Sequence, residues 1–289
     1  MAVNTETAHL TLSDVTTAFE QVYPPGWAAS WDAVGLVAGD PAQPVARILF
    51  AVDPVDAVVD EALTWGADLV ITHHPLMLRG VTSVAANTPK GRIVHRLIRS
   101  GTALYTAHTN ADTASPGVSD ALAGAVGLTG PLRPLDPDPT DSEGRRGIGR
   151  IGALDRPVVL REFAQQVARG LPATAAGIRV AGDLDRLVTT VAVSGGAGDS
   201  LLGAARAAGV DAFVTSDLRH HPASEFVEEP GGPALIDTAH FASEWPWLAD
   251  GADHLAEALG RTAGPDAANV EIRVSTTVTD AWSQAVPHV

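Results

Sequence analysis

The 289-residue chain contains no cysteine, which excludes disulfides, thiolate zinc sites, iron–sulfur clusters and cysteine nucleophiles. Any metal must sit on His, Asp and Glu. Lysine is almost missing too, with Lys90 alone in the chain. The 19 Lys+Arg stand against 34 Asp+Glu, for a net charge of −15. Binding to phosphate backbones needs clustered cations, so nucleic acid is an unexpected partner, although Arg145, Arg146 and Arg150 form a local basic patch. No apolar run approaches the roughly 20 residues that a membrane helix requires. No basic side chain precedes Arg47, so the start of the chain lacks the charge pattern of a signal peptide. The expectation is a cytoplasmic protein with no membrane partner.

What is present is apolar and periodic. Hydrophobic residues make up 45% and charged residues 18%, enough for a sizeable core in one large domain or two ordinary ones. Ser13-Asp14 predicts the cap of a helix reaching Val22, and Trp27 to Asp40 reads as a loop. Strands are expected at 47–52, 68–72 and 103–107, separated by helices at 54–65 and 92–100 and followed by a helix at 119–126. A second series places a helix at 160–169 and a strand near 178–181. Beyond 187 come strands at 188–193, 212–215, 234–237 and 270–275, with helices at 199–208 and 244–259. This alternation predicts α/β layering with largely parallel pairing.

Between Pro131 and Arg150 the chain turns proline- and acid-rich, which reads as a linker or mobile loop. The expected division is therefore an N-terminal α/β lobe over 1–130, a linker over 131–150 and a C-terminal α/β lobe over 151–289. The two lobes look alike. Gly66-Ala67-Asp68-Leu69-Val70-Ile71-Thr72 lines up with Gly209-Val210-Asp211-Ala212-Phe213-Val214-Thr215. Thr106-Ala107-His108 followed by Asp112 lines up with Thr238-Ala239-His240 followed by Glu244. A duplicated βαβ-type unit accounts for both matches.

Histidines gather where this pattern places strand ends, the region in which open α/β sheets bind ligands. His73-His74-Pro75 follows one strand; His108 with Asp112, and His240 with Glu244, follow two others one helical turn apart. Imidazoles combined with carboxylates that bridge suit two ions of the zinc, iron or manganese class, whereas magnesium or calcium sites use oxygen alone. His9, His95, His220, His221, His254 and His288 are expected to be ordinary hydrogen-bonded side chains. The glycine-rich Ser194-Gly195-Gly196-Ala197-Gly198 stands between a strand and a helix. It reads either as a phosphate cradle or as a tight turn, and Arg219 either neutralises a phosphate or belongs to a solvated loop.

Trp31-Asp32-Ala33-Val34-Gly35-Leu36, Thr72-His73-His74-Pro75, His108-Thr109-Asn110-Ala111-Asp112, the glycine run from Ser194 and His240-Phe241-Ala242-Ser243-Glu244 occur in this order. Together they resemble the NIF-three-like proteins, the GTP cyclohydrolase 1 type 2 homologues, from about Ser13 to Ser275. The resemblance implies a two-lobed α/β subunit with a dinuclear metal centre in the cleft between the lobes, and a ring-shaped homohexamer. Its ligands map to His73, His74, Asp112, His240 and Glu244, with Glu244 bridging, and His108 is either a ligand or an acid/base group. Ala239 stands where the family often has glycine, and Asp32-Ala33 replaces a more usual Asp-Asn pair. The activity implied is that of a metal-dependent hydrolase acting on a small nucleotide-like or phosphorylated substrate. The alternative is a non-catalytic metal-binding scaffold or regulatory interaction protein. Six tryptophans (27, 31, 65, 245, 247 and 282) supply aromatic surface for contacts between copies.

Overall fold

The computed structural model describes residues 10–286; His9 and His288 lie outside them. The chain divides into two compact units, one running to Ala111 and resuming over Leu248–Thr277, the other comprising Asp112–Trp247 and continuing from Val278. The division thus differs from the expected boundaries. The last long helix and last strand return to the first unit, and the stretch 131–150 lies within the second.

In the first unit β1 (Gly35–Ala38), β2 (Arg47–Ala51), β3 (Leu69–Thr72), β4 (Ala103–Thr106) and the strand Glu271–Val274 form one sheet. Its order is β1-β4-β3-β2 and then Glu271–Val274. β1 pairs antiparallel with β4, and the remaining ladders are parallel. β3 and β4 are buried throughout, because side chains leave a strand on alternate faces and both faces are covered. On one face Leu49, Val70 and Leu104 pack against Val58, Val59 and Ala62 of the helix Asp56–Trp65 and Ile93, Val94 and Leu97 of the helix Pro89–Ser100. On the other, Phe19 of the helix Leu12–Val22 meets Phe50 and Tyr105 edge to face, each with centroids 5.8 Å apart. That helix starts earlier than expected. Thr11, not Ser13, is its cap: Thr11 Oγ1 accepts from Asp14 N–H at 3.2 Å and Asp14 Oδ2 accepts from Thr11 N–H at 2.9 Å.

The second unit holds β5 (Thr129–Pro137), β6 (Gly147–Val159), β7 (Arg179–Ala181), β8 (Leu187–Ala197), β9 (Ala212–Ser216) and β10 (Ala234–Thr238). The order is β5-β6-β8-β9-β10-β7. β8, β9 and β10 are parallel, while both flanks are antiparallel. The expected linker is a hairpin instead. β5 is an edge strand, which tolerates Pro134 and Pro137 because one side of its ladder needs no donor. The acids form the turn: Asp141 Oδ2 accepts the N–H groups of Arg145 and Arg146 at 2.8 and 2.7 Å, and Asp138 Oδ1 accepts that of Thr140 at 2.8 Å. Among the described residues no helix is long and apolar enough to cross a membrane.

Each unit contains three parallel strands joined by helices, and each starts its middle strand in the same way. Asp68 Oδ2 accepts the N–H groups of Ala46 and Arg47 at 2.8 and 2.9 Å. Asp211 Oδ2 accepts those of Thr189 and Thr190, both at 2.9 Å. The correspondence slips by one residue at the third strand. Thr106 is paired with Thr72, whereas Thr238 is paired with Ser216, not Thr215.

Candidate metal centre

β2, β3 and β4 end together, and backbone bonds carry the ladder one step further. His73 N–H donates to Ala51 O at 3.1 Å and His74 N–H to Val52 O at 2.8 Å. The Thr72 hydroxyl donates to His74 O at 2.8 Å, which fixes the turn that Pro75 begins. Adjacent histidines can therefore face one place although regular strand neighbours diverge. His108 stands two residues after β4, and its N–H donates to Asn110 Oδ1 at 2.9 Å. Asn110 is buried and anchors in turn to Tyr23 O at 2.8 Å.

His73, His74 and His108 come together, with one ligand atom from each lying within 4.8 Å of the others. Their ring centroids are 5.1 to 5.6 Å apart. Each ring is oriented through Nδ1 by an oxygen acceptor. His73 Nδ1 lies 3.0 Å from Ala107 O, His74 Nδ1 2.7 Å from Asp53 Oδ1, and His108 Nδ1 2.9 Å from Asp32 Oδ1. Oxygens that only accept place the proton on Nδ1, so Nε2 is the nitrogen each ring presents to a cation. A hydrogen-bond acceptor behind each imidazole is the arrangement that metal-ligating histidines use. Burial, and then the neighbouring His73, hold the His108 pKa below the usual histidine range, which keeps the ring in its ligating neutral form. Burial pushes the Asp32 carboxyl up, but hydrogen bonds from His108 and Thr109 prevail and hold it below the ordinary carboxylate range. The donor set suits a borderline ion such as zinc.

In the second unit His240 and Glu244 lie at the two ends of the short helix His240–Glu244. His240 Nδ1 lies 2.6 Å from Asp217 Oδ2, and Nε2 3.0 Å from Glu244 Oε1. Glu244 is buried, and an imidazole nitrogen beside a carboxylate oxygen is a donor pair that suits a transition-metal ion. Asp112 is half-buried in the short helix Thr109–Thr113, outside the three-histidine group.

The glycine run is explained by this packing. Ser194 to Ala197 belongs to β8 rather than to a strand-to-helix loop. Gly196 has φ +68°, and a Cβ there would lie 2.6 Å from Glu244 Oε1 and 3.2 Å from His240 Nε2. Its N–H donates to Ser243 Oγ at 2.9 Å, and that of Gly198 to Ser216 O at 3.2 Å. These two amides are engaged by the protein itself. Arg219 is exposed and ion-paired with Asp199.

Asp32, Asp53 and Asp217 were not singled out as functional by sequence reasoning. Each lies far along the chain from the histidine it orients. Asp53 stands two residues after β2 and Asp217 one after β9, each the strand beside the one its histidine follows, and Asp217 is held at φ +58°. Their position just after apolar strands was the available signal.

The chain matches the family model described as Duf34/NIF3 (NGG1p interacting factor 3) over residues 10–281. The chain belongs to the Duf34/NIF3 family. A protein of Streptomyces coelicolor named GTP cyclohydrolase 1 type 2 homolog is 58% identical over 95% of this chain and 94% of its own length. One of the same name from Mycobacterium tuberculosis is 40% identical over 94% of this chain and 96% of its own. The crystal structure of a Bacillus cereus protein related to NIF3 superposes with a TM-score of 0.86 at 25% identity, covering 96% of this chain and 100% of that one. Staphylococcus aureus protein SA1388 reaches 0.83 at 27%, again covering 96% of this chain and 100% of that one. Within the Duf34/NIF3 family this chain carries Asp32-Ala33 and Ala239, and with both in place His108 and His240 are oriented by Asp32 and Asp217.

Proposed function

We propose that this Duf34/NIF3 protein is a cytoplasmic, metal-dependent hydrolase acting on a small nucleotide-like or phosphorylated substrate. Its dinuclear centre would hold two divalent transition-metal ions of the zinc, iron or manganese class. The observation that carries this is the three-histidine group of the first unit, in which every Nδ1 is engaged by an oxygen and the ligand atoms lie within 4.8 Å of one another. His73, His74, Asp112, His240 and Glu244 would hold the ions. Such ions, when bound, lower the pKa of water and polarise the group under attack. The protein's own part is orientation and proton handling. Asp53 and Asp217 fix the rings of His74 and His240, and Asp32 keeps the Nδ1 proton on His108. His108 Nε2 is then a base able to take a proton from a nucleophile and return it to a leaving group. The names of the relatives support GTP as the first substrate to try.

The protein also resembles a duplication, supported by the shared clasp at Asp68 and Asp211. A homohexameric ring, with the chain itself as principal partner, belongs to the same proposal. Two of its tryptophans are occupied within the chain: Trp247 is fully buried, and Trp65 carries the guanidinium groups of Arg273 and Arg47 at 4.3 and 5.9 Å. Trp282 is 70% exposed and is available for contacts between copies. Nucleic acid is disfavoured further by the fate of the basic patch. Arg150 is buried against Asp120 at 2.8 Å, Arg146 pairs with Asp138 at 2.9 Å, and Arg145 pairs with Glu143.

The test is turnover of GTP and a panel of nucleotides and phosphate esters by metal-loaded protein, with His108→Ala as control. Turnover lost in that variant supports the hydrolase. Full metal loading with no turnover across the panel would favour the non-catalytic scaffold.

A further inference from the structure

We propose that Trp31 is the stacking platform for the planar ring of the substrate, an inference that rests on the nucleotide-like substrate proposed above. Trp31 is 61% exposed, yet it is neither on a loose segment nor remote from the histidine group. Its ring meets that of His108 edge-on, with centroids 6.0 Å apart and planes at 79°. A perpendicular contact of this kind occupies at most one face of the indole and leaves the other open to stacking.

The turn that carries it is tied down on both sides. Ala29 N–H donates to Thr109 Oγ1 at 2.9 Å, and Asp32 N–H closes the turn onto Ala29 O at 2.9 Å. The Asp32 carboxylate accepts from His108 Nδ1 at 2.9 Å, from Thr109 N–H at 3.0 Å and from Ala33 N–H at 2.7 Å. Ala29 and Asp32, which bracket Trp31, are thus bonded to Thr109 and His108, so the indole and the His108 ring are set from one backbone frame. A large aromatic face held in water and fixed in place binds a flat partner with little ordering cost. Its distance from His108 matches a ligand whose reacting part lies at the histidine group and whose ring lies against the indole. The chemical class expected is a planar nitrogen heterocycle carrying a phosphate or similar group. A second copy of the chain pressing on Trp31 is the competing occupant, and the experiment separates the two.

Equilibrium binding of guanosine 5′-monophosphate and of ribose 5-phosphate is measured on the metal-loaded wild type and on Trp31→Leu and Trp31→Phe, with metal content and light scattering recorded for each. Trp31→Leu should weaken the nucleotide by about tenfold, the size of one base–aromatic stack, and leave ribose 5-phosphate unchanged. Trp31→Phe should restore most of the affinity. Metal content and particle mass should not move. Equal nucleotide affinity in wild type and Trp31→Leu would overturn the platform while leaving the nucleotide-like substrate standing. So would equal weakening of both ligands, or a change of assembly without a change in binding. Failure of the wild type to bind the nucleotide at all would overturn the substrate class, and the platform with it.

Discussion

One oxygen of Asp32 accepts the Nδ1 proton of His108 at 2.9 Å while the other accepts the N–H of Thr109 at 3.0 Å. Both oxygens are therefore acceptors, a demand that an amide cannot meet. In Asp32→Asn the new NH2 group must face either His108 Nδ1–H or the Thr109 N–H, donor against donor. Losing that partner frees the Nδ1 proton and with it the place of Nε2 as the proposed base, whose contribution is typically about 100-fold or more in rate. Turnover by metal-loaded Asp32→Asn should fall by that order, with metal content and the far-ultraviolet circular dichroism unchanged. Unaltered turnover at full metal loading would mean that His108 is not the base that Asp32 orients.

Removing a ligand should differ from removing a structural histidine. His254 Nδ1 lies 2.8 Å from the Tyr23 hydroxyl, so His254→Ala should lower stability by about 1 kcal/mol, the value of one such bond, and keep the metal. His74→Ala and Glu244→Ala should lose most of the bound metal after loading and dialysis. Elemental analysis of the three proteins side by side checks this, and equal occupancy in all three would remove His74 and Glu244 from the centre.

The parts of this site that were legible in the sequence are those that period and adjacency reveal. His73, His74, His108 and His240 follow apolar strand runs, so their shared location at strand ends could be read directly. β1 could not, because four half-exposed residues on an edge carry no alternation against a core. The β5–β6 hairpin was hidden by the prolines that an edge strand tolerates and by acids whose role is to bond turn amides. The glycines after Ser194 announced a close approach without saying to what, and the answer is Glu244 and His240. The orienting carboxylates were least visible, since Asp32 precedes its histidine by 76 residues and Asp53 by 21.

Acid should expose the capping box at the first helix. The Thr11 hydroxyl and then the Thr11 N–H hold the Asp14 carboxyl below its ordinary value of 3.8. A carboxyl depressed in the folded state contributes stability that is present above its unfolded pKa and lost as pH falls through the folded one. Thr11→Ala should therefore melt at a lower temperature than wild type at neutral pH. The difference should shrink as pH drops below 3.8, because the protonated carboxyl no longer rewards the cap. Thermal melts of the two proteins between pH 6 and about pH 3 measure it, and a difference that stays constant or widens would assign the cap's contribution elsewhere.

Gly196 offers the sharpest separation of site from scaffold. Its φ of +68° is one that L side chains rarely adopt, and its Cβ position is 2.6 Å from Glu244 Oε1 and 3.2 Å from His240 Nε2. Gly196→Ala meets two costs at once. The left-handed backbone alone is worth about 1–2 kcal/mol against a residue with a Cβ, and the methyl group must displace a buried carboxylate that is proposed to hold metal. Gly203, exposed in the helix Leu202–Ala207 with nothing within 4 Å of its Cβ position, is the control. There Ala removes chain entropy from the unfolded state and should stabilise by about 0.5–1 kcal/mol. Gly196→Ala should melt earlier and lose metal affinity by at least about tenfold, a displacement of 1.4 kcal/mol or more at the ligands. Gly203→Ala should melt later with affinity untouched. Should Gly196→Ala keep full affinity while losing only stability, Glu244 would be a buried structural acid beside His240 rather than a ligand.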